Sequence, residues 1–368
     1  MSSIANAYKP DSAVHPGEYL EEVLDSRNIS KGDFAARCGL SAKTISQIIN
    51  QQSNFSTEVA IQFERVLGIS AEIWTRMLSE FQLHESRARE RAELEGAESW
   101  AEQFPVKDLQ KLGVIERTTD RARWISQLLS FFHVSSPDTW TSVYAKRAIA
   151  FRKSPTLQAS EYAIATWLRL AELQASEIDT KPFDSKKIRQ FIPKLRLLTN
   201  ENPDVFASQI VDSCARAGVA VIFVPELTGT RISGATEWLS ADTAMIALSL
   251  RHKTDDHFWF TLFHELGHII LHGKKAIFID DNGTEDQEAE QEANQFARDV
   301  LLPRREFRDF VKTGRFYADD IRMFAERINI APGIVVGVLQ HDGLIKYSWH
   351  NQLKRRFTFK HGEHPIST

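Results

Sequence analysis

Apolar positions recur at helical spacing through most of the chain and gather into short unbroken runs in one region. Over residues 15–84 they mark several short helices with explicit start and stop signals. The first spans about Pro16 to Arg27. Ser30, with Asp33 three residues on, starts Lys31–Cys38, which Gly39 ends, and Ser41 caps Ala42–Asn50. Residues 80–99 form an exposed helical connector of mixed charge. Amphipathic helices are expected at about 105–115, 119–133, 138–151 and 160–177, and Asp184–Leu198 restarts a helix after the break at Lys181-Pro182. Trp124, Trp140, Tyr144 and Trp167 belong to the packing of these helices. The period then changes. Val219–Val224, Ala244–Leu250 and, between them, Arg231–Trp238 read as strands. Residues 258–272 (FWFTLFHELGHIILH) are apolar almost all round, as expected of a buried helix, with Asp255 and Asp256 as candidate N-caps. A further helix, Glu285–Leu302, carries one apolar stripe of Ala289, Ala293, Phe296, Ala297, Val300 and Leu301 and stops at Pro303. The tail reads as Asp319–Asn329, a turn at Ala331-Pro332-Gly333, and Ile334–Gln340, whose apolar character points to packing rather than DNA reading.

The buried helix contains His264-Glu265-Leu266-Gly267-His268. Two histidines four apart lie one turn above each other on one helix face, so both imidazoles can reach a single Zn²⁺. The glutamate after the first histidine is then placed to act as general base for peptide hydrolysis. A core helix with two satisfied histidines is the alternative, but burying two imidazoles and a carboxylate without a charge partner is costly. Gly267, a poor helix former, is tolerable if another backbone or the metal site approaches closely there.

A catalytic zinc needs a third protein ligand. On the acidic helix, Glu290 lies about 60° from the centre of the apolar stripe and Glu292 about 100° away. Glu290 is the better candidate, Glu292 the fallback, and Asn294, one turn on, would orient the carboxylate from behind. His272 continues the four-residue series, but a rise of about 12 Å over eight residues excludes it from a zinc shared with His264. A metzincin arrangement fails because Lys274 stands where its third histidine would be. His252, His257 and Tyr317 are nearby candidates for stabilising a transition state. The strand preceding the zinc helix could offer an edge to an extended peptide, and an ordinary supporting sheet is equally compatible.

With a sheet, the HELGH helix and then EQEANQFA followed by LLP, residues 219–305 resemble the ImmA/IrrE family of metallopeptidases. The resemblance implies a zinc endopeptidase that cleaves Xre-type repressors, relieving repression of mobile elements or stress genes. It carries the zinc ligands to His264, His268 and Glu290 and the catalytic role to Glu265.

The N-terminal helices have the spacing of a helix-turn-helix. Small Ala35 lets the pair approach, and Leu40, Ile45 and Ile48 form its core. Lys43, Thr44 and Gln47 are left facing outward towards base edges, while Ser41 and Asn50 are candidates for phosphate contacts. HPGEYLEEVL, FAARCGLSAKTISQIIN and STEVAIQFERVLGISAEIWTRML together resemble HigA-type antitoxins and Xre-like regulators. That resemblance implies operator DNA binding as a homodimer, with a cognate toxin as a further partner. The second helix of the pair lacks an arginine.

Composition narrows the setting. With 45 Lys and Arg against 49 Asp and Glu the net charge is −4, so no global basic field favours nucleic acid, and the cluster Lys354-Arg355-Arg356 reads as solvated, with nucleic-acid contact the lesser alternative. Two cysteines make no disulfide framework, and with no apolar leader or membrane-length run the expected location is cytoplasmic, with no membrane partner. The 368 residues, 42% of them hydrophobic, suit several domains: a helix-turn-helix domain at 1–92, a helical middle region at 93–200, a metallopeptidase domain at 201–305 and a helical extension at 306–368 packing on it. The expected class is α+β, mainly α, with one small sheet in a zincin-like domain. Two functions remain open. One is a DNA-binding regulator whose peptidase cleaves a repressor-type protein or its own chain in a stress-response or toxin-antitoxin setting. The other is a non-proteolytic antitoxin and autorepressor whose metal domain is structural or sensory.

Overall fold

The computed structural model describes residues 13–145, 160–272, 285–359 and 366–367, and its backbone contacts divide the chain into two compact units. The first runs to Glu98 and includes Thr118–Ser126; the second comprises Ser99–Arg117 and Gln127 onward. The expected helix at 138–151 falls partly outside the described residues, as does Lys274.

In the first unit, α1 (Pro16–Ser26) starts on a compact local device. The His15 side chain caps Gly17 N–H at 2.9 Å and Pro16 supplies the preset first φ. A Cβ on Gly17 would stand 2.1 Å from the Ile48 carbonyl, so only glycine lets α1 seat against α3 (Ala42–Ile49). Between them α2 (Lys31–Cys38) begins at Ser30, whose Oγ accepts from Asp33 N–H at 3.1 Å, and ends at Gly39 with φ 69°. Helices α4 (Thr57–Leu67) and α5 (Ala71–Glu95) follow. Leu20, Leu24, Phe34, Ile45, Ile48, Phe63 and Trp74 are its buried centre, each contributing about 1.5–3 kcal/mol of apolar burial. The polar stretch expected as a connector at 80–99 is largely the continuation of α5, dressed with exposed i,i+4 pairs such as Arg91–Glu95.

The second unit is built on a three-stranded sheet of order β1 (Val219–Phe223), β3 (Ala244–Leu248), β2 (Gly234–Trp238). Strands β1 and β3 pair in parallel from Val219↔Ala244, and β2 pairs antiparallel to β3 with Thr236 opposite Ile246. Both faces of β1 and β3 are buried, which is why their sequences are apolar at every position. Val219, Val221, Phe223, Ala244, Ile246 and Leu248 join the core made with the HELGH helix. On the sheet's other side lies Glu161–Ala175, whose Trp167 donates Nε1–H to the Val224 carbonyl at 3.3 Å. Trp140, Tyr144 and Trp167 are buried and Trp124 partly so.

The HELGH helix is α-helical over Asp255–Gly267 and continues as one π turn, His268–His272. Two expectations at its start need correction. Thr254, not Asp255 or Asp256, occupies the N-cap position. The aspartates sit in the first turn, where each meets a cation from the C-terminal segment: Lys354 Nζ lies 2.6 Å from Asp256 Oδ2, and Arg355 Nε lies 3.5 Å from Asp255 Oδ2. Lys354 and Arg355 are therefore neutralising partners of buried carboxylates rather than a solvated cluster. Gly333 and Gly337 of Pro332–His341 leave the room for those carboxylates, since a Cβ at either would fall 2.4 Å from an Asp255 or Asp256 oxygen. That helix, expected to pack, lies buried in the same core. No described helix is long and apolar enough to cross a membrane.

Candidate functional site

Close packing of two helices assembles the polar centre of the second unit. A Cβ on Gly267 would stand 3.2 Å from Ala293 Cα, so this glycine lets the HELGH helix and the acidic helix Glu285–Leu301 approach at their backbones. His264 and His268, both buried, thereby face Glu290 across the interface. His268 Nε2 lies 3.1 Å from His264 Nε2 and 3.2 Å from Glu290 Oε1, and His264 Nε2 lies 3.3 Å from Glu290 Oε2. Ligands about 2.0–2.2 Å from a tetrahedral Zn²⁺ are separated from one another by about 3.3 Å. The three edges match that figure, and two nitrogens with one carboxylate oxygen are a donor set zinc accepts. The residues fit the metal.

Behind this trio the hydrogen bonds are directional. His264 Nδ1 lies 3.0 Å from Asn294 Oδ1, so Nδ1 holds the ring proton and Nε2 presents its lone pair inward. Asn294, expected to orient the carboxylate, makes this bond to the imidazole. His268 Nδ1 is 3.3 Å from His272 Nδ1, and His272 Nε2 is 3.0 Å from Glu292 Oε2. Glu292 thus stands with His272, while Glu290 stands with the other two inward nitrogens.

Glu265 is buried and turned towards β2. Thr236 Oγ1 donates to its Oε2 at 2.8 Å, and a Cβ on Gly234 would come within 2.9 Å of its Oε1. Neither β2 residue was singled out in the sequence. The signal was the small pair at alternate positions of a strand, which puts both on the face that the HELGH helix covers. Among the described residues the outer edge of β2 pairs with no strand.

The three candidates for transition-state stabilisation diverge. His252 and His257 stack at 4.1 Å and line a recess with Ser233, Ser249 and Thr261. Burial, before any other cause, lowers both imidazoles below their ordinary value, although both residues are exposed overall. Tyr317 is 72% exposed at the start of Ala318–Ile328.

On α3 the helix-turn-helix residues keep an outward face. Lys43 and Asn50 are exposed, and Thr44 and Gln47 half-buried. Ser41 caps the helix, accepting from Thr44 N–H at 3.0 Å. Asn50 Nδ2 lies 3.3 Å from Ser46 Oγ. Lys31 and Arg37 are paired with Glu21 and Asp33 at 2.6 and 2.8 Å, whereas Lys43 has no ion-pair partner among the described residues.

Residues 214–336 match the family model described as IrrE N-terminal-like domain (Peptidase_M78), and residues 20–74 match the one described as Helix-turn-helix. The chain therefore joins a helix-turn-helix domain to an IrrE-like domain of a metallopeptidase family. The uncharacterized HTH-type transcriptional regulator YddM of Escherichia coli (strain K12) is 28% identical over 71 residues, which are 19% of this chain and 76% of that protein. A Pseudomonas aeruginosa protein crystallised with its operator DNA is 33% identical, with 21% of this chain and 85% of that one covered and a TM-score of 0.21. An addiction module antidote protein of a HigA family from Coxiella burnetii is 19% identical, with 23% and 91% covered and a TM-score of 0.21.

Proposed function

We propose that this chain is a DNA-binding regulator carrying its own zinc endopeptidase, which cleaves a repressor-type protein, in trans or within its own chain. The observation that carries the enzymatic half is the convergence of His264, His268 and Glu290 at zinc-ligand spacing, with Glu265 on the same helix turn. His264, His268 and Glu290 would hold Zn²⁺, which would supply Lewis acidity towards a peptide carbonyl. Glu265 takes the proton of the attacking water and passes it to the leaving amine. Thr236 holds that carboxylate by one oxygen, and Gly234 keeps the space beside the other clear. A structural zinc site has no need of a buried carboxylate in that position.

The edge of β2 suits an extended polypeptide, which would add as a further strand alongside Glu265. Operator binding by α3, with Lys43 and Gln47 facing DNA and a homodimer reading two half-sites, is supported by the helix-turn-helix match and the regulator relative. A peptidase tethered to such a reader is suited to switching transcription, in a stress-response or toxin-antitoxin setting.

The test pairs zinc quantification with mass spectrometry of fragments from wild type and Glu265→Gln, incubated alone and with the regulators encoded beside it. Wild type should hold one zinc and produce fragments, and the variant should hold zinc, bind the operator and produce none. Identical behaviour of the two would leave a non-proteolytic autorepressor with a structural or sensory metal domain.

A further inference from the structure

The pair His272 and Glu292 lies outside the metal trio yet is joined to it. We infer that they form a relay that positions His268 as a ligand and tightens the metal site; this rests on the zinc reading above. His268 can serve a metal through Nε2 only, because Nε2 is the atom beside His264 and Glu290. Its Nδ1 then carries the ring proton and donates it to His272 Nδ1 at 3.3 Å. That leaves the proton of His272 on Nε2, where it is donated to Glu292 Oε2 at 3.0 Å. One tautomer at each ring satisfies every contact, and the chain runs in a single direction from ligand to carboxylate. Reversing either ring would set two lone pairs or two protons against each other.

The backbone changes where the relay begins. His268–His272 is a π turn, an uncommon geometry concentrated at functional sites. Arg189 Nη2 donates to the Ile270 carbonyl within it at 3.0 Å, pinning the turn from the helix Ser185–Leu197. His272 is 13% exposed and Glu292 56%, so the relay leads from the buried ligand to the surface. The arrangement also accounts for a histidine that the eight-residue rise keeps from sharing a zinc with His264. His272 and Glu292 are positioning residues, acting through His268. A carboxylate behind an imidazole raises its donor strength and fixes its orientation, and loss of such a partner typically weakens metal binding by about 10–100-fold.

The test is zinc affinity of the full chain, measured by competition with a chromogenic chelator, for wild type, His264→Ala, His272→Phe, Glu292→Ala and the double variant His272→Phe/Glu292→Ala. Cobalt spectra and melting of the metal-free proteins accompany it. His272→Phe should bind zinc roughly 10–100-fold more weakly. Glu292→Ala, an exposed change that does not threaten folding, should weaken it by a smaller factor, and the double variant should be no weaker than His272→Phe alone. The cobalt bands of both single variants should shift while their metal-free melting temperatures stay with wild type. Affinities within twofold of wild type, losses that simply multiply in the double variant, or losses that follow lowered metal-free melting would overturn the relay. If wild type bound no zinc, or His264→Ala bound it as tightly as wild type, the zinc reading itself would fall.

Discussion

Lys354→Met removes the cation that neutralises Asp256 at the start of the HELGH helix. Its Nζ lies 2.6 Å from Asp256 Oδ2 and 2.8 Å from Gln340 Oε1, and the two charged side chains are 9% and 8% exposed. Water screens such a pair little, so the 0–1 kcal/mol typical of surface pairs does not apply. Removing one partner of a buried pair costs about 3–5 kcal/mol, because the remaining charge is left without compensation. Methionine keeps most of the apolar stem, so the loss is that of the charge. The positive end of the helix dipole recovers only about 0.3–1 kcal/mol for Asp256. A net cost of about 3 kcal/mol corresponds, at 2–4 °C per kcal/mol for a domain of this size, to a fall in Tm of roughly 6–12 °C. Calorimetry of the full chain reads it in the transition that added Zn²⁺ raises. The double variant Asp256→Asn/Lys354→Met should recover most of the loss, since neither charge is then buried alone. A fall below about 3 °C, or a double variant as unstable as the single one, would refute the assignment.

Glu265→Gln should lower peptide cleavage by at least the roughly 10²–10⁴-fold owed to general base catalysis while zinc content is kept; cleavage within tenfold of wild type would remove Glu265 from the chemistry. Gly267→Ala places a methyl 3.2 Å from Ala293 Cα and from Phe296 Cδ1, so the helices must part at a cost of about 1–3 kcal/mol. Zinc affinity should fall with it, and a chelator titration showing no change would mean the interface absorbs the methyl without moving Glu290. Burial lifts Asp255 to about 6 against the opposing pull of Arg355. This is above the unfolded value of about 3.9, so the folded state holds the extra proton between roughly pH 4 and 6 and this contribution to stability falls as pH rises through that window. Asp255→Asn should take this contribution out of the Tm–pH profile, and an unchanged profile would count against it. On the operator, Gln47→Ala should cost about 1–3 kcal/mol and relax one base preference, whereas Lys43→Ala should reduce the salt slope by about one; binding isotherms unaltered by both would place recognition elsewhere.

Much of this protein is written in signals that act within one helical turn. Ser30, Gly39 and Ser41 mark helix ends by bonds to neighbours three or four residues away, and the four-residue step between His264 and His268 puts two imidazoles on one face in any α-helix. Strands β1 and β3 were visible as apolar runs because both of their faces are buried. The same local logic misread the start of the HELGH helix, where Asp255 and Asp256 have the composition of N-caps. Their partners stand 100 and 98 residues away, and no periodicity links the two segments. Thr236 and Gly234 were silent for a related reason: a threonine and a glycine in a strand carry no chemistry until a helix crosses them and sets Glu265 opposite. Angular position on the acidic helix ranked Glu290 above Glu292 as an inward residue, but could not say what each would meet. That depended on the distance between two helix axes, set by Gly267 against Ala293. Sequence by itself determined which residues could share a face; tertiary packing alone decided which faces would meet, because those contacts depend on how distant segments pack rather than on local periodicity.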